Sequence, residues 1–130
     1  MLRAFIAATI LAAAVPAQAH HSLTAYDGAR EVQLDAVVAE FHYTHPHPYI
    51  NVRVGSGATA KTWRLEMDNL FELDAIGVDR TTFKPGERVQ VRGAPARDGG
   101  PAMYLRRLDR PQDGLRYEQV GMSPSLTRSR

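Results

Sequence analysis

The strongest constraint on the fold is an alternation of apolar and polar residues that recurs in short stretches separated by glycine and proline. Side chains two residues apart on a strand share a face, so this period predicts strands that place one face in a core. Five strands are predicted, at 31–41, 49–54, 61–67, 89–93 and 102–108, with a short edge strand at 114–120. The chain is therefore predicted to be all-β apart from one helix.

The first stretch also predicts a bulge. Its apolar positions change parity, from Val32, Leu34 and Ala36 to Val37, Ala39 and Phe41. One extra residue in a strand shifts every later side chain to the opposite face. Such a bend is typical of a strand that serves two sides of a small barrel.

One short helix is predicted between the third and fourth strands. Asp68 or Asn69 can cap it, an apolar stripe extends to Ile76, and Gly77 ends it. Three strands, a helix and two strands is the element order of the OB-fold, a small Greek-key barrel of five strands. The predicted edge strand would make six strands in this chain. A β-sandwich is the competing architecture, and a single helix with five or six strands suits it less well.

The first nineteen residues have the plan of a signal peptide. Arg3 precedes an apolar run from Ala4 to Val15, and the Ala17-Gln18-Ala19 sequence suits cleavage after Ala19. The run is too short to cross a bilayer as a helix. We therefore expect a signal peptide at 1–19, a periplasmic or secreted barrel domain at 20–120, a flexible tail at 121–130, and no membrane span in the mature chain.

Composition narrows the possible partners. The chain has no cysteine, so an exported domain of this size must be stable without disulfides. Its formal net charge is only +2. The basic residues around the last predicted strand, Arg97 to Arg110, alternate with Asp98 and Asp109, which predicts a solvated face and no nucleic-acid partner.

The histidines predict a metal site. Cleavage after Ala19 would leave His20 with a free α-amine and an imidazole, which together can close a chelate ring, and His21 would add a second ring. The reference pKa of the amine is about 7.7–8.0, so a divalent ion can displace its proton near neutrality. Nitrogen donors suit copper best, with zinc or nickel as alternatives.

A second group of histidines lies beside two prolines. His45 and His47 each precede a proline, which favours extended backbone geometry at both histidines. Either ring could add a further ligand to a metal ion that is bound by His20 and His21. Each of these histidines also has a structural interpretation, as a polar chain start or as a loop ring bonded to a neighbour. Glu66 could hold a ligating imidazole or be a solvated charge, and Met67 is predicted to lie in the core.

Several motifs together resemble a family of short exported bacterial proteins of unknown function. They are His20-His21-Ser22, Pro46-His47, Trp63-Arg64-Leu65-Glu66, Lys84-Pro85-Gly86-Glu87 and Arg97-Asp98-Gly99. The resemblance implies a small periplasmic β-barrel and no established activity. Where this chain has His45 the family has Asn, so the resemblance favours His47 over His45 as a ligand.

Three functions follow as hypotheses. The first is a periplasmic metal-binding protein, copper most of all, that binds or delivers the ion through His20, His21 and His47. The second is a metal-free module whose face around Tyr43, Tyr49 and Trp63 binds a protein, small ligand or glycan. The third is a histidine-brace oxidative enzyme, which would depend on an open copper position because hydrolytic and phosphate-binding motifs are absent from the sequence.

Overall fold

Seven strands and one α-helix make up the structure, a computed structural model that describes residues 22–121 and 123–129. In chain order they are β1 Val32–His42, β2 Tyr49–Val54, β3 Lys61–Glu66, α1 Leu70–Ala75, β4 Arg88–Pro95, β5 Ala102–Arg110, β6 Leu115–Val120 and β7 Ser123–Arg128. Short 3₁₀ turns span Ser22–Ala25 and Gly57–Thr59. No helix within the described residues is long and apolar enough to span a membrane.

The first five strands close into a barrel. Their order is β3-β2-β1-β4-β5 with antiparallel neighbours, and β3 then pairs in parallel with β5 to close the circle. The helix lies between β3 and β4 in the chain. The predicted OB-like Greek-key barrel is confirmed, and the closure through β3 and β5 rules out the β-sandwich.

Alternation decides which side chains fill the barrel. Ile50 and Val52 of β2 and Leu65 of β3 are fully buried, while Arg53 and Arg64 on the opposite faces are exposed. Trp63 is only partly buried, although it packs against the same core. The apolar positions predicted for β2 and β3 therefore do face inward.

The bulge in β1 is present, but at a different position from the predicted one. Val38 pairs with Val52 and Glu40 with Asn51, which leaves Ala39 as the extra residue. Val38 is buried, whereas Val37 is 37% exposed. The predicted parity change between Ala36 and Val37 is therefore wrong, because either of two adjacent valines suits a core and only strand pairing selects between them.

The helix has the predicted ends. The side chain of Asn69 accepts a hydrogen bond from the Glu72 amide at 3.0 Å, and Gly77 follows the helix with a φ of 88°. Leu73 is fully buried in the core, while Phe71 on the other side is 82% exposed. A helix this short is held by that packing and by its cap.

Beyond β5 the chain forms a hairpin instead of a loose tail. β6 pairs with β7 from Leu115↔Arg128 to Val120↔Ser123, so the predicted flexible tail is wrong for residues 123–128. Leu115 and Tyr117 of β6 are buried in the main core. The polar sequence of β7 shows little apolar pattern on its own, and the strand forms because β6 offers it an unpaired edge.

The basic residues near β5 are paired rather than merely solvated. The side chain of Arg110 is only 6% exposed and contacts Glu87 at 2.6 Å and Asp113 at 2.8 Å. Asp109 bridges Arg107 and Arg116 at 2.7 Å each. The expectation of a solvated face is therefore wrong for Arg110, whose buried charge requires these partners.

Candidate metal site at the histidine corner

An arm that begins with the 3₁₀ turn Ser22–Ala25 leads to β1 and is attached to the barrel by backbone bonds. Tyr26 forms an isolated antiparallel bridge with Ala96, and the Asp27 amide donates to the Pro95 carbonyl at 2.8 Å. The Arg97 amide donates to the Ala25 carbonyl at 2.9 Å. A single bridge and its flanking backbone bonds thus hold the arm at the end of β4.

Arginine side chains hold the arm from both ends. The Arg97 guanidinium donates to the Thr24 carbonyl at 3.2 Å, and the Arg106 guanidinium donates to the Gly28 carbonyl at 2.7 Å. Tyr26 itself is 7% exposed, so its side chain is buried and tethers this segment. The backbone before β1 therefore has a defined course over the barrel wall.

The histidine corner is the connection between β1 and β2. It contains a cis peptide between His45 and Pro46, and its carbonyl groups reach neighbouring elements. The Pro46 carbonyl accepts from the Leu70 amide at 3.2 Å, and the Pro48 carbonyl accepts from the Met67 amide at 2.9 Å. The corner is therefore attached both to the start of α1 and to the end of β3.

A backbone carbonyl sets the tautomer of His47. Its Nδ1 lies 3.1 Å from the Met67 carbonyl oxygen, and a carbonyl oxygen can only accept, so Nδ1 carries the proton. In the neutral ring Nε2 then bears the lone pair, and this is the arrangement found in most metal-ligating histidines. His47 is half-buried and His45 is exposed.

The arm and the corner border one cavity of about 400 Å³. It is lined by Ala25, Thr44, His45, Pro46, His47, Tyr49, Arg64 and Glu66. The predicted ligands His45 and His47 are thus brought to one site, together with a residue of the arm. His20 and His21 lie outside the described residues, and His20 precedes Ala25 by five residues, a chain reach of at most about 18 Å.

Glu66 connects the cavity to the arm. Its Oε2 accepts a hydrogen bond of 2.7 Å from the Tyr26 hydroxyl, and its side chain also lines the cavity. Burial, followed by this hydrogen bond, raises the pKa of Tyr26, so the phenol stays protonated and acts as the donor. Glu66 is therefore half-buried and bonded to a phenol rather than a fully solvated charge, and its contact with a ligating imidazole stays a prediction.

An aromatic stack on the outer barrel face lies beside the cavity, and sequence reasoning missed it. The His42 ring stacks on Tyr49 with centroids 4.3 Å apart and planes 13° from parallel, and the Arg64 guanidinium carbon lies 3.5 Å from the centroid of the same ring. His42 and Arg64 belong to the strands on either side of β2. The sequence did contain a signal for this stack. If β1 and β2 are paired as a hairpin centred on the His45–Pro46 peptide, His42 lies opposite Tyr49, as observed.

The face around Tyr43, Tyr49 and Trp63 does not exist as one surface. Only Tyr49 points outward, since Trp63 pairs with Val52 and packs toward the core. The Tyr43 hydroxyl instead donates to the Val78 carbonyl at 3.1 Å, beyond the helix. The outer stack His42, Tyr49 and Arg64 replaces the predicted face.

Sulfur donors are absent from the cavity wall as far as the described residues define it. Met67 and Met103 have no exposed surface and belong to the core, as predicted for Met67. Over residues 22–121 and 123–129, no group of three or more histidine, cysteine, aspartate or glutamate side chains is arranged to hold a metal.

Fold and cavity together define a small all-β barrel protein with a histidine-bearing corner at one end of the barrel. The chain belongs to DUF6152, a family of unknown function whose model matches residues 7–103, well over half of the chain. Comparison with curated proteins and with solved structures finds no match.

The family match covers the arm, β1 to β4 and the first two residues of β5. It ends before β6 and β7, so the hairpin that contributes Leu115 and Tyr117 to the core lies beyond the matched segment. The resemblance to a family of unknown function is confirmed. Its finer features, export and a mature His-His-Ser start, remain predictions.

Proposed function

We propose that this protein is exported to the periplasm, is cleaved after Ala19, and binds a metal ion, most favourably copper. The ligands are the α-amine and ring of His20, the ring of His21 and the ring of His47, with His45 as the alternative corner ligand. Its task is to bind or deliver the ion. Nitrogen donors of this kind hold Cu(II) most tightly among the divalent first-row metals, with zinc or nickel as alternatives.

One observation carries the proposal: Ala25 of the anchored arm lines the same cavity as His45 and His47. The bond between the Arg97 amide and the Ala25 carbonyl holds the arm there. His20 precedes Ala25 by five residues, a chain length that spans at most about 18 Å. The hydrogen bond from His47 Nδ1 to the Met67 carbonyl supports the same role, because a backbone partner of this kind orients the ring of a ligating histidine.

The test compares processed protein with a variant that carries one extra alanine before His20. The extra residue keeps every side chain but moves the free amine off His20, so the chelate ring cannot form. We expect a loss of Cu(II) affinity of at least tenfold, about 1.4 kcal/mol, and a changed Cu(II) spectrum. Mass spectrometry of the first residue confirms the cleavage site, and equal affinities with identical spectra would reject the proposal.

A second candidate function, a metal-free binding module, is favoured by the stack of His42, Tyr49 and Arg64. Three planar groups held in register on the outer face of β1 to β3 form a preorganised surface beside the cavity. A protein, small ligand or glycan could bind there. This function predicts protein purified from the periplasm without stoichiometric metal, and a phenotype that depends on Tyr49 and not on His20 or His21.

A further inference from the structure

We infer that the outer face of β1, β2 and β4 binds the carboxylate of a small organic acid between Arg53 and Arg88, with the apolar part of the acid on Val37. The inference goes beyond the proposed function and does not depend on it. It is carried by a cavity of about 440 Å³ on this face. Among the described residues, this cavity shares none of its lining with the cavity at the histidine corner.

Strand register places the two arginines on either side of one valine. Val37 of β1 pairs with Arg53 of β2 on one side and with Arg88 of β4 on the other. Directly opposed residues of antiparallel strands lie on the same face of the sheet, and all three residues are exposed. The backbones of β2 and β4 lie two strand spacings apart, about 10 Å. One small ligand can therefore contact Val37 and both arginines.

The two guanidinium groups have no partner within the part of the chain that the structure describes. Over residues 22–121 and 123–129, neither Arg53 nor Arg88 forms a hydrogen bond or an ion pair through its side chain. By contrast, Arg106, Arg107 and Arg110 of β5 each contact a carboxylate. A guanidinium presents a planar fork of donors that matches the two oxygens of a carboxylate. Arg53 and Arg88 thus keep this fork available for a ligand.

The same cavity offers apolar surface. Val37 is 37% exposed and is one of three large apolar side chains that the described residues expose. Pro111, which follows β5, is also exposed and lines the cavity, and Gly55, which follows β2, lines it without a side chain to fill the space. Covering Val37 and Pro111 is favourable in proportion to the apolar area removed from water. The cavity therefore suits an acid with an apolar body better than an inorganic anion.

The charge of the lining indicates a ligand with one negative charge. Its ionisable residues, as far as the structure describes the lining, are Arg53, Arg88 and Asp35. Together they leave one positive charge uncompensated, which a single carboxylate balances. A phosphate monoester carries about −1.5 to −2 at pH 7, and Asp35 would repel it more strongly than it repels a carboxylate.

The test titrates the purified, metal-free protein with sodium octanoate and follows the backbone amide shifts by ¹⁵N–¹H NMR. We expect the largest shifts at Val37, Arg53 and Arg88. Arg53→Gln and Arg88→Gln should each weaken binding about 2–5-fold, the effect of an exposed ion pair, and the double variant should weaken it further. Arg92→Gln is the matched control, since Arg92 is an exposed arginine of β4 outside the cavity lining, and it should leave the affinity unchanged.

Further ligands and variants test the apolar contact and the charge. From butanoate to octanoate, affinity should rise about twofold for each CH₂, because each group is only partly buried. Val37→Thr keeps the shape of the side chain and should flatten this dependence on chain length. Asp35→Asn should strengthen octanoate binding about twofold, because it removes a repulsive charge.

Equal octanoate affinities of wild type and the double arginine variant would overturn the inference, as would shifts confined to residues outside the lining or no shifts at all. Equal binding of 1-octanol and octanoate would show that the two guanidinium groups do not recognise the ligand. Tighter binding of octyl phosphate than of octanoate would overturn the choice of a carboxylate.

Discussion

Tyr26 and Glu66, forty positions apart in the chain, are joined by a hydrogen bond of 2.7 Å between the phenol and Oε2. This bond ties the arm before β1 to the end of β3, directly beside the histidine corner. The Pro48 carbonyl of the corner also accepts from the Met67 amide. The arm, the corner and the end of β3, which are distant in the sequence, are therefore linked by hydrogen bonds.

Tyr26→Phe is expected to lower the free energy of unfolding by about 1.5–3 kcal/mol, the range for a hydrogen bond to a charged group. The phenol ring stays in place, so the loss reports the hydroxyl and the carboxylate that it leaves unpaired. Denaturant unfolding of the metal-free protein measures it. The bonds of the Tyr43 hydroxyl to Asp74 and Val78 are longer, at 3.2 and 3.1 Å, and the one to Asp74 is exposed, so Tyr43→Phe should cost less. An equal or larger cost there would contradict the tether.

His47→Gln is expected to weaken Cu(II) binding more than His45→Gln. His47 is half-buried with its tautomer set by Met67, whereas His45 is exposed. We expect a loss of at least about tenfold for His47→Gln, since even an outer partner of a ligand is worth this much. Isothermal titration of the processed protein measures the difference, and a larger loss in His45→Gln would exchange the two assignments.

Glu72→Gln is expected to raise stability at neutral pH. The Asp68 carboxyl, through a hydrogen bond and then through its like charge, raises the pKa of Glu72, and Glu72 Oε2 is buried without a hydrogen-bond partner among the described residues. A raised pKa means that the folded state holds the proton to higher pH than the unfolded state. The associated stability is therefore present at low pH and lost as the pH rises through the folded-state pKa.

Unfolding curves of wild type and Glu72→Gln across acidic to neutral pH measure this effect. The variant should lack the decline in stability that wild type shows above pH 4.5, the ordinary value for this carboxyl group. Glu31→Gln on the exposed surface is the control. Parallel pH profiles for wild type and Glu72→Gln would show that the two carboxyl groups do not interact.

Asn69→Ala is expected to destabilise the protein by about 1 kcal/mol, within the range of 0.5–2 kcal/mol for a lost N-cap. The Asn69 side chain accepts the Glu72 amide, and alanine leaves that amide without its partner. Denaturant unfolding measures the change. Asn69→Asp should retain most of the stability because it restores the acceptor, and an unchanged alanine variant would mean that the cap is dispensable.

Leu115→Ala is expected to cost about 2–5 kcal/mol, the range for a fully buried leucine. Leu115 is 1% exposed in the main core although it lies beyond the segment matched by the family. Leu126→Ala on β7, where the leucine is only partly buried, should cost less. Thermal unfolding compares the two, and a negligible cost for Leu115→Ala would show that the hairpin is an appendage to the barrel.

Local patterns were sufficient where the physical cause is local. The alternation in Tyr49–Val54 predicted β2 with its observed bounds, and Asn69 and Gly77 marked the ends of the helix. Capping, chain reversal at glycine and two-residue periodicity all act within a few residues. The fold class followed because the order of such elements allows few barrels.

Patterns failed where the cause is a distant partner. Val37 and Val38 are chemically equivalent, and only pairing with Val52 selects Val38 for the core. Strand β7 needs the edge of β6, and the sequence of Ser123–Arg128 carries almost no sign of it. The surface assembled from Tyr43, Tyr49 and Trp63 failed for the same reason, since side-chain direction depends on register.

The sequence by itself determined the candidate ligand types, the all-β class, the helix and the proline-bounded corner, because each depends on the chemistry or conformation of neighbouring residues. Only the tertiary structure decided that Ala25, His47 and Glu66 border one cavity, and that Tyr26 holds the carboxylate there. Their meeting depends on the closure of β3 onto β5 and on the course of the arm over β4. Such long-range contacts are selected by the packing of the whole barrel, and no short stretch of sequence encodes them.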